Sequence, residues 1–434
     1  MPRPWAGLCG AFRVSFLRSP GNSQVQTPQY TGIQMQASSS ALPIPILWGM
    51  TLVAPNVIWA GDFVAIPLYS GGSGGKGGVF GGRSQITGYD YFTALVMGLC
   101  EGPVTNVRYG YDGQNTYTLG MLSCGEILGT TPQTAWGYLT ANHPKKAISY
   151  PGTVLITSSE FDLGSSSSIG SLSFEVLGTF AGSSVTNTDA DPALIINDFL
   201  TNAQYGVGFP ASSINAAALF GGSGGSSYQA YCAAVGIGLS PALVDQEAAN
   251  SILARWLQLT NSTAVWSGGQ LKIIPYGDTT VTGTLNSGAT VTFVPNATSV
   301  YDLTDDDFIA GTDADPIVVT RSDPYSASNV VNLEVLSRAP TYAAGSQIPT
   351  YNQYGAQIGG YPNYYAPTPI QARDQNAIEL YGLRVGSTVT AHEICTTAIG
   401  QVVAQLILQR GPTSATLTRS SYRGSAACSS RWTW

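Results

Sequence analysis

Charged side chains are scarce in this sequence. Only 18 Lys and Arg and 25 Asp and Glu occur among 434 residues, so 10% of positions are charged, whereas ordinary soluble domains carry about 25%. Intrinsic disorder is excluded because it requires low hydrophobicity, and 44% of this chain is hydrophobic. A soluble helical enzyme is excluded because its helices need charged outer faces. The 51 Gly, 25 Pro and 23 Tyr indicate a turn-rich, largely β protein whose uncharged polar surface suits protein neighbours.

Basic residues and histidines are too few for several functions. The net charge is −7 and the longest basic cluster is Lys145-Lys146, whereas a duplex-binding surface needs clustered Lys and Arg. Histidine occurs only as His143 and His392, which excludes a histidine-rich metal site. We expect His143 to be exposed in a loop and His392 to cap a helix. The sequence therefore predicts no specific nucleic-acid binding, no catalytic residue, no cofactor and no metal site.

Cysteines are few, and none form a CxxC pair, which disfavours a zinc site and a disulfide framework. We interpret them as free or buried small hydrophobic residues. The six are Cys9, Cys100, Cys124, Cys232, Cys395 and Cys428.

An apolar stretch, Ala41–Ala60, has the length of a membrane span. Three prolines interrupt it and prevent a continuous helix. We predict two buried strands with a turn at Trp48-Gly49, and no stable membrane insertion.

Two polar segments leave alternatives open. The acidic segment Asp302–Asp307, with Asp313 and Asp315, lacks the residue order of a calcium loop. We interpret it as a turn and a helix N-terminus, with calcium binding and a carboxylate pair of the glycosidase type left open. The glycine-rich segment Gly71–Gly82 is not a phosphate-binding loop, because that pattern needs Gly at position 70 and Ser or Thr at position 77. We interpret it as a flexible hairpin tip.

Helical periodicity appears in the middle of the chain. Asp191-Pro192 predicts a helix start, and Tyr228–Val235 and Asp245–Leu259 predict two further helices. The corner Gly268-Gly269 between apolar stretches predicts a hairpin. Ser173–Leu177 alternates as a strand does, so we predict a β-rich, multi-domain α+β fold.

Five sequence blocks, in order, resemble phage tail-tip hub proteins of the lambdoid tip attachment and gene-transfer-agent types. Each block alone is weakly specific, but five in the right order are strong; one is Tyr91–Val104 (YFTALVMGLCEGPV), leading to Tyr111-Asp112-Gly113. The others are Pro45–Phe63, Asp198–Phe209, Trp256–Tyr276 and Arg373–Val385, and the resemblance extends from about Tyr30 to Arg410. The residues that carry it are Leu99, Cys100, Glu101, Gly102, Pro103, Asp112, Gly113, Trp256, Trp266, Gly269, Tyr381 and Gly382.

The resemblance implies a non-enzymatic structural protein built from small β-barrel or sheet modules and a central helix-plus-hairpin module. It implies a homotrimeric ring that closes the tail tube of a bacteriophage or prophage, located at the virion tail tip after assembly in the host cytoplasm. The implied partners are the distal tail protein, the tape measure protein and tail fibres. A secreted β-rich carbohydrate-active protein or adhesin is the alternative, and a receptor-binding fibre is a closer rival.

The two ends depart from the resemblance. The N-terminal extension has no counterpart, and the apolar pattern ends abruptly at Gly411. A two-base frameshift allows Gly411–Trp434 to encode AYIRNTYTFKLSWECCLLEPMDL, similar to the family's continuation, so we expect an out-of-frame, truncated end. The expected segments are an extension (1–29), a β-rich hub domain (30–190), an α+β module (191–290), a β-rich domain with loop 339–369 and closing helix 391–409 (291–410), and the out-of-frame tail (411–434).

Overall fold

The fold comprises two compact units. The N-terminal unit contains Arg3–Leu47 and Leu52–Thr179, and the C-terminal unit contains Met1–Pro2, Trp48–Thr51 and Phe180–Trp434. The computed structural model describes residues 42–69, 86–112, 115–221, 225–296, 308, 317–321, 327–339, 350–351, 357–359, 364–413 and 416–420. Small sheets and seven helices in these ranges confirm the β-rich α+β fold. The sheets described are open, so the expected barrels are not present among them.

The N-terminal unit is built mainly from two four-stranded sheets. Their strand orders are β2-β9-β5-β6 and β3-β4-β8-β7. The elements are β1 (Ile46–Leu47), β2 (Met50–Val53), β3 (Asn56–Tyr69), β4 (Ile86–Glu101), β5 (Asn106–Asp112), β6 (Asn115–Thr118), β7 (Gly125–Leu128), α1 (Gly137–Asn142), β8 (Thr153–Gly164) and β9 (Leu172–Leu177). The predicted strand at Ser173–Leu177 is confirmed as β9, and β1 and β2 flank the predicted turn at Trp48-Gly49.

Strand β4 forms the core of this unit. It lies between β3 and β8, with antiparallel pairing on both sides. Leu95, Val96 and Met97 are at most 2% exposed, and because successive side chains of a strand point to opposite faces, the strand is covered on both faces. Each such side chain contributes about 1.5–3 kcal/mol on burial. This explains why the block Tyr91–Val104 of the resemblance is mostly apolar.

The C-terminal unit combines helices with two- and three-stranded sheets. Its three-stranded sheet has the order β19-β16-β20, and its strand pairs are β11-β12, β13-β14, β15-β21 and β17-β18. The elements are α2 (Pro192–Thr201), α3 (Ala216–Phe220), α4 (Tyr228–Val235), β10 (Ala242–Leu243), α5 (Ala249–Leu259), β11 (Ser262–Ser267), β12 (Gln270–Pro275), β13 (Val281–Thr284), β14 (Thr290–Phe293), β15 (Ile317–Arg321), β16 (Val330–Ser337), β17 (Thr350–Tyr351), β18 (Gln357–Gly359), β19 (Ala366–Arg373), α6 (Gln375–Tyr381), β20 (Val389–Ala391), α7 (Thr397–Thr413) and β21 (Thr416–Ser420).

Most predicted helices are confirmed, and the local chemistry explains their limits. Asp191 caps α2, its carboxylate accepting a hydrogen bond from the Ala193 amide at 2.9 Å. Helix α4 has its predicted bounds, and the hairpin β11-β12 turns at Gly268-Gly269, where both φ angles are positive. Helix α5 begins at Ala249, four residues after the predicted start.

The closing helix starts later than predicted. It was expected over 391–409, but α7 spans Thr397–Thr413. Ala391 ends β20, which pairs in parallel with β16. The carbonyls of Ile394 and Cys395 then accept hydrogen bonds from Leu336 and Arg338 amides. Because this backbone is engaged with β16, it is not available to a helix.

Several predictions fall outside the described residues. The glycine-rich segment Gly71–Gly82, the acidic segment Asp302–Asp307, Asp313 and Asp315 are among them. The predicted loop 339–369 is partly described, and β17 and β18 form an antiparallel pair within it. Among the helices described, none is long and apolar enough to cross a membrane.

Gly102 lies at a close crossing of two backbone segments. Its amide donates to the Gly152 carbonyl at 2.8 Å, and the Val104 amide donates to the Leu128 carbonyl at 3.0 Å. A Cβ at Gly102 would lie 2.7 Å from the Cα of Gly129. Main-chain atoms cannot move aside as a flexible side chain can, so this position requires glycine.

We therefore expect Gly102→Ala to destabilise the N-terminal unit by about 1–3 kcal/mol, the usual cost of overpacking a tight site. Urea denaturation monitored by circular dichroism measures this change. Gly137→Ala is the matched control, because a Cβ there meets open space and Ala favours the helix that begins at this residue. Equal stability of the two variants would contradict the crossing described here.

Candidate functional site

The most highly connected polar group described is Arg338, which directly follows β16. Its guanidinium donates to the Met50 carbonyl from Nε at 3.0 Å and Nη2 at 2.9 Å. Nη2 also donates to Asp189 Oδ1 and Ser240 Oγ, both at 2.6 Å. Nη1 donates to the hydroxyls of Thr188 at 3.0 Å and Thr396 at 3.2 Å. We call these residues the Arg338 network; they join five separate stretches of the chain within the C-terminal unit.

Burial makes this network sensitive to the loss of any charge. The side chain of Arg338 is 10% exposed and that of Asp189 is fully buried. Burial by itself raises the pKa of Asp189, but the Arg338 charge and hydrogen bonds from Arg338, Thr186 and Ser240 lower the pKa below its usual value. Asp189 is therefore ionised at neutral pH. The same carboxylate raises the pKa of Arg338 against the opposing effect of burial, so the pair is a true ion pair.

The segment Trp48–Thr51 is held by a second buried cluster. Trp48 is fully buried and its indole Nε1 donates to Asp198 Oδ2 at 2.8 Å. The Tyr205 hydroxyl donates to the same oxygen at 2.7 Å. Trp48 meets the Phe199 and Trp256 rings edge-on, at centroid distances of 6.5 and 5.7 Å, the geometry that aromatic quadrupoles favour.

Gly49 lets this segment approach the rest of the C-terminal unit closely. Its φ is +67°, and a Cβ would lie 2.2 Å from Ser240 Oγ. The Trp48 amide donates to the Pro241 carbonyl at 3.1 Å on one side. The Met50 carbonyl binds Arg338 on the other. The buried Trp48 ring, the close turn at Gly49 and the Arg338 cation thus fix this four-residue segment. Such an arrangement stabilises the fold and does not suit catalysis.

The two histidines each contact a carboxylate. His143 follows α1, and its Nε2 lies 2.6 Å from Asp62 Oδ2. His392 Nε2 lies 3.0 Å from Glu334 Oε1, and its side chain is 46% exposed. The prediction that His392 opens a helix is wrong, because it lies in the turn between β20 and α7. Neither pair belongs to a described cluster of three or more metal-ligating side chains.

The four described cysteines are free, as expected. Cys100, Cys232 and Cys395 are buried, whereas Cys124 is partly exposed. Burial raises the pKa of Cys124 and of Cys395 to about 12. These thiols are therefore protonated at neutral pH and lack the thiolate that a nucleophile or a metal ligand requires. Cys9 and Cys428 lie outside the described residues.

The residues that carry the family resemblance are distributed over both units. In the N-terminal unit they lie at the end of β4, in the turn that follows it and at the end of β5: Leu99, Cys100, Glu101, Gly102, Pro103 and Asp112. Gly113 is outside the described residues. In the C-terminal unit, Trp256 is fully buried in α5, whereas Trp266 on β11 is 57% exposed. Gly269, Tyr381 and Gly382 lie in a hairpin turn and at the end of α6.

The positions of these motif residues indicate packing and turn formation. Gly269 and Gly382 have φ angles of 75° and 78°, which only glycine adopts readily. Leu99, Cys100 and Trp256 are core residues. Sequence reasoning missed the Arg338 network and the role of Asp198. No local pattern marks them, because their partners lie far away in the sequence.

Comparisons with known proteins find a similar family and a similar fold. Residues 248–359 match the family model described as "Putative phage tail protein". The fold is similar to a chain from the "Virion of native gene transfer agent (GTA) particle", with a TM-score of 0.50 and 15% identity, covering 92% of this chain and 79% of that one. No curated protein sequence matches. The resemblance to phage tail proteins is confirmed over residues 248–359, a segment that includes α5, the β11-β12 hairpin and Arg338.

We expect Arg338→Met to lower the free energy of unfolding by about 3–5 kcal/mol, because it leaves the Asp189 charge buried without its partner. Urea denaturation measures this loss. Arg373→Met is the control: this residue of β19 in the same unit is exposed and its Nε donates to the Gln371 side chain, so its loss should change stability by no more than about 0.5 kcal/mol. The double variant Arg338→Met with Asp189→Asn should regain part of the stability. Strict additivity of the two substitutions would contradict the ion pair.

Acid should weaken the same pair. The folded pKa of Asp189 is lowered relative to an unfolded value of about 3.9. Its contribution is therefore fully present above the unfolded pKa and is lost as pH falls through the folded pKa. We expect wild-type stability to fall below pH of about 4, and Asp189→Asn to lose less stability over the same range. Denaturation midpoints measured from neutral pH downward test this, and parallel profiles would contradict it.

Proposed function

We propose that this phage tail protein is the hub of the tail tip, a homotrimeric ring that closes the tail tube. In this role it joins the distal tail protein and the tape measure protein on one side to tail fibres on the other. The observation that carries the proposal is the family match over residues 248–359. The similarity of fold over most of the chain to a component of a virion particle supports it.

An exposed apolar hairpin supports assembly with other subunits. The outer part of the β3-β4 hairpin, Val64–Tyr69 with Ile86–Asp90, is here called the apolar arm. Strand β8 pairs with β4 only as far as Gly164, opposite Tyr91, so the arm has no third strand among the described residues. A two-stranded ribbon in water is only marginally stable. Five of its apolar side chains are 40–57% exposed: Val64, Ile66, Leu68, Tyr69 and Ile86.

The sheet that carries the arm has two open edges in the described structure. Strand β3 is its edge strand and is 14 residues long. At the other edge, β7 pairs with only Val154–Thr157 of β8, which leaves Ser158–Gly164 without a strand partner there. Two different open edges on one subunit fit a head-to-tail contact between copies, and contacts of this kind close into rings.

The composition of these strands is typical of a permanently assembled subunit and not of a monomer in solution. Monomeric proteins protect edge strands with Lys, Pro or bulges. Strands β3 and β4 together contain no Lys or Arg. Strand β3 contains one proline, Pro67, and its pairing with β4 has three register shifts, between Val57 and Trp59, Gly61 and Val64, and Leu68 and Tyr69. Such an edge is tolerated when the assembly covers it.

The proposed role is structural and non-enzymatic, and its place is the virion tail tip. The alternative, a secreted β-rich carbohydrate-active protein or adhesin, predicts a monomer whose activity depends on specific carboxylates. A receptor-binding fibre predicts an elongated assembly, not a ring. Oligomeric state and assembly shape therefore separate the three.

We expect the purified full chain to form trimeric rings, and Ile66→Glu in the apolar arm to shift it towards monomer by about tenfold or more in dissociation constant, because a charge is buried at the interface. Light scattering after gel filtration and electron microscopy measure this. Met121→Glu is the matched control, since Met121 lies outside the arm and is 68% exposed. A wild-type monomer at high concentration would contradict the proposed ring.

A further inference from the structure

A cluster of aromatic and polar side chains lies on the surface of the N-terminal unit. Trp59, Trp136, Tyr138 and His143, together with Asp62, are here called the aromatic patch. Trp136 and Tyr138 stack at 4.9 Å with an interplanar angle of 25°. Trp59 lies 6.5 Å from Trp136 and 5.2 Å from the His143 ring. All four rings are partly exposed, and Asp62 is exposed.

An irregularity in β3 places the carboxylate of Asp62 at this patch. The β3-β4 register shifts between Gly61 and Val64, and Asp62 has a φ of +50°. The left-handed conformation is unfavourable for residues with a Cβ, and Asp is among those that tolerate it best. Bulges commonly redirect a side chain next to a functional site. The Trp59 ring lies over Gly61, because a Cβ at Gly61 would be 2.7 Å from Trp59 Cζ2.

The carboxylate is held by one of its two oxygens. Asp62 Oδ2 accepts a hydrogen bond from the Tyr138 hydroxyl at 2.8 Å and faces His143 Nε2 at 2.6 Å. Oδ1 has no hydrogen bond from the described residues. Hydrogen bonds from His143 and Tyr138 lower the pKa of Asp62, so Oδ1 is an oriented, ionised acceptor that is open to a ligand.

We propose that the aromatic patch binds a pyranose oligosaccharide, with a sugar ring against an outer face of the stacked Trp136–Tyr138 pair and a sugar hydroxyl donating to Asp62 Oδ1. A pyranose has an apolar C–H face that packs on aromatic rings, as other apolar groups do. Its hydroxyls donate charge-assisted hydrogen bonds to a fixed carboxylate. The patch thus offers both kinds of contact that one sugar ring needs.

The same geometry disfavours other ligand classes. A quaternary ammonium is held by rings that surround it, whereas Trp136 and Tyr138 stack on each other, so the pair presents a single ring face on each side. A nucleic acid brings phosphates, which the Asp62 carboxylate repels. The proposal does not depend on the tail-hub role, because it rests only on side chains of the N-terminal unit.

The test is binding of three probes, chitohexaose, cellohexaose and maltohexaose, to the full chain, by saturation-transfer NMR and calorimetry. We expect at least one to bind with a Kd of about 0.1–1 mM, Trp136→Ala to abolish binding, and Asp62→Asn to weaken it about tenfold or more. Trp266→Ala is the matched control, an exposed tryptophan of the other unit, and should bind as wild type does.

Circular dichroism establishes whether each variant is folded. If Trp136→Ala does not fold, the binding of the probes to Asp62→Asn tests the proposal. Failure of all three probes at millimolar concentration would overturn the proposal. So would unchanged binding by folded Asp62→Asn. Either result leaves the oligomeric state untouched, so failure of this site and failure of the proposed ring are distinguishable.

Discussion

The C-terminal unit depends on the ion pair between Arg338 and Asp189. Taking these two charges out of water costs several kcal/mol per ion, and the structure offsets this cost with hydrogen bonds to the Met50 carbonyl and three hydroxyls as well as with the carboxylate. Such a pair adds little net stability over apolar side chains of the same volume. Its contribution is conformational specificity, because all of its hydrogen bonds form only when five distant stretches of chain adopt one arrangement.

Trp48 and Gly49 complete this arrangement. The indole occupies a fully buried site against Phe199 and Trp256 and satisfies its N–H on Asp198. Gly49 allows the backbone to pass within contact of Ser240, which is itself a ligand of Arg338. The aromatic anchor and the ion pair are thus coupled through neighbouring residues, so the segment Trp48–Thr51 belongs to the C-terminal unit despite its place early in the sequence.

Local sequence patterns correctly predicted the helices and hairpins that are determined by residues within the element itself. Helix α4 and the hairpin β11-β12 follow from apolar spacing and from turn residues that lie within them. The predicted start of α7 was wrong because β20 pairs in parallel with β16 and keeps the preceding backbone extended. These two strands are far apart in the sequence. Arg338 was missed for the same reason. A lone arginine after a strand is ordinary on a surface, and only the fold shows that its partners surround it.

The distribution of hydrogen-bonding capacity indicates where this protein meets other molecules. In the C-terminal unit, Arg338 and Asp189 bind each other and Asp198 accepts hydrogen bonds from the Trp48 and Tyr205 side chains, so these charged groups offer little to a ligand. The N-terminal unit also exposes groups that suit contact. Strand β3 has an open edge, and the apolar arm and Asp62 are exposed. Because unpaired strand edges and exposed apolar groups are costly in a solitary protein, five exposed apolar side chains on one hairpin with an open edge favour recognition there, whereas the Arg338 network maintains internal order.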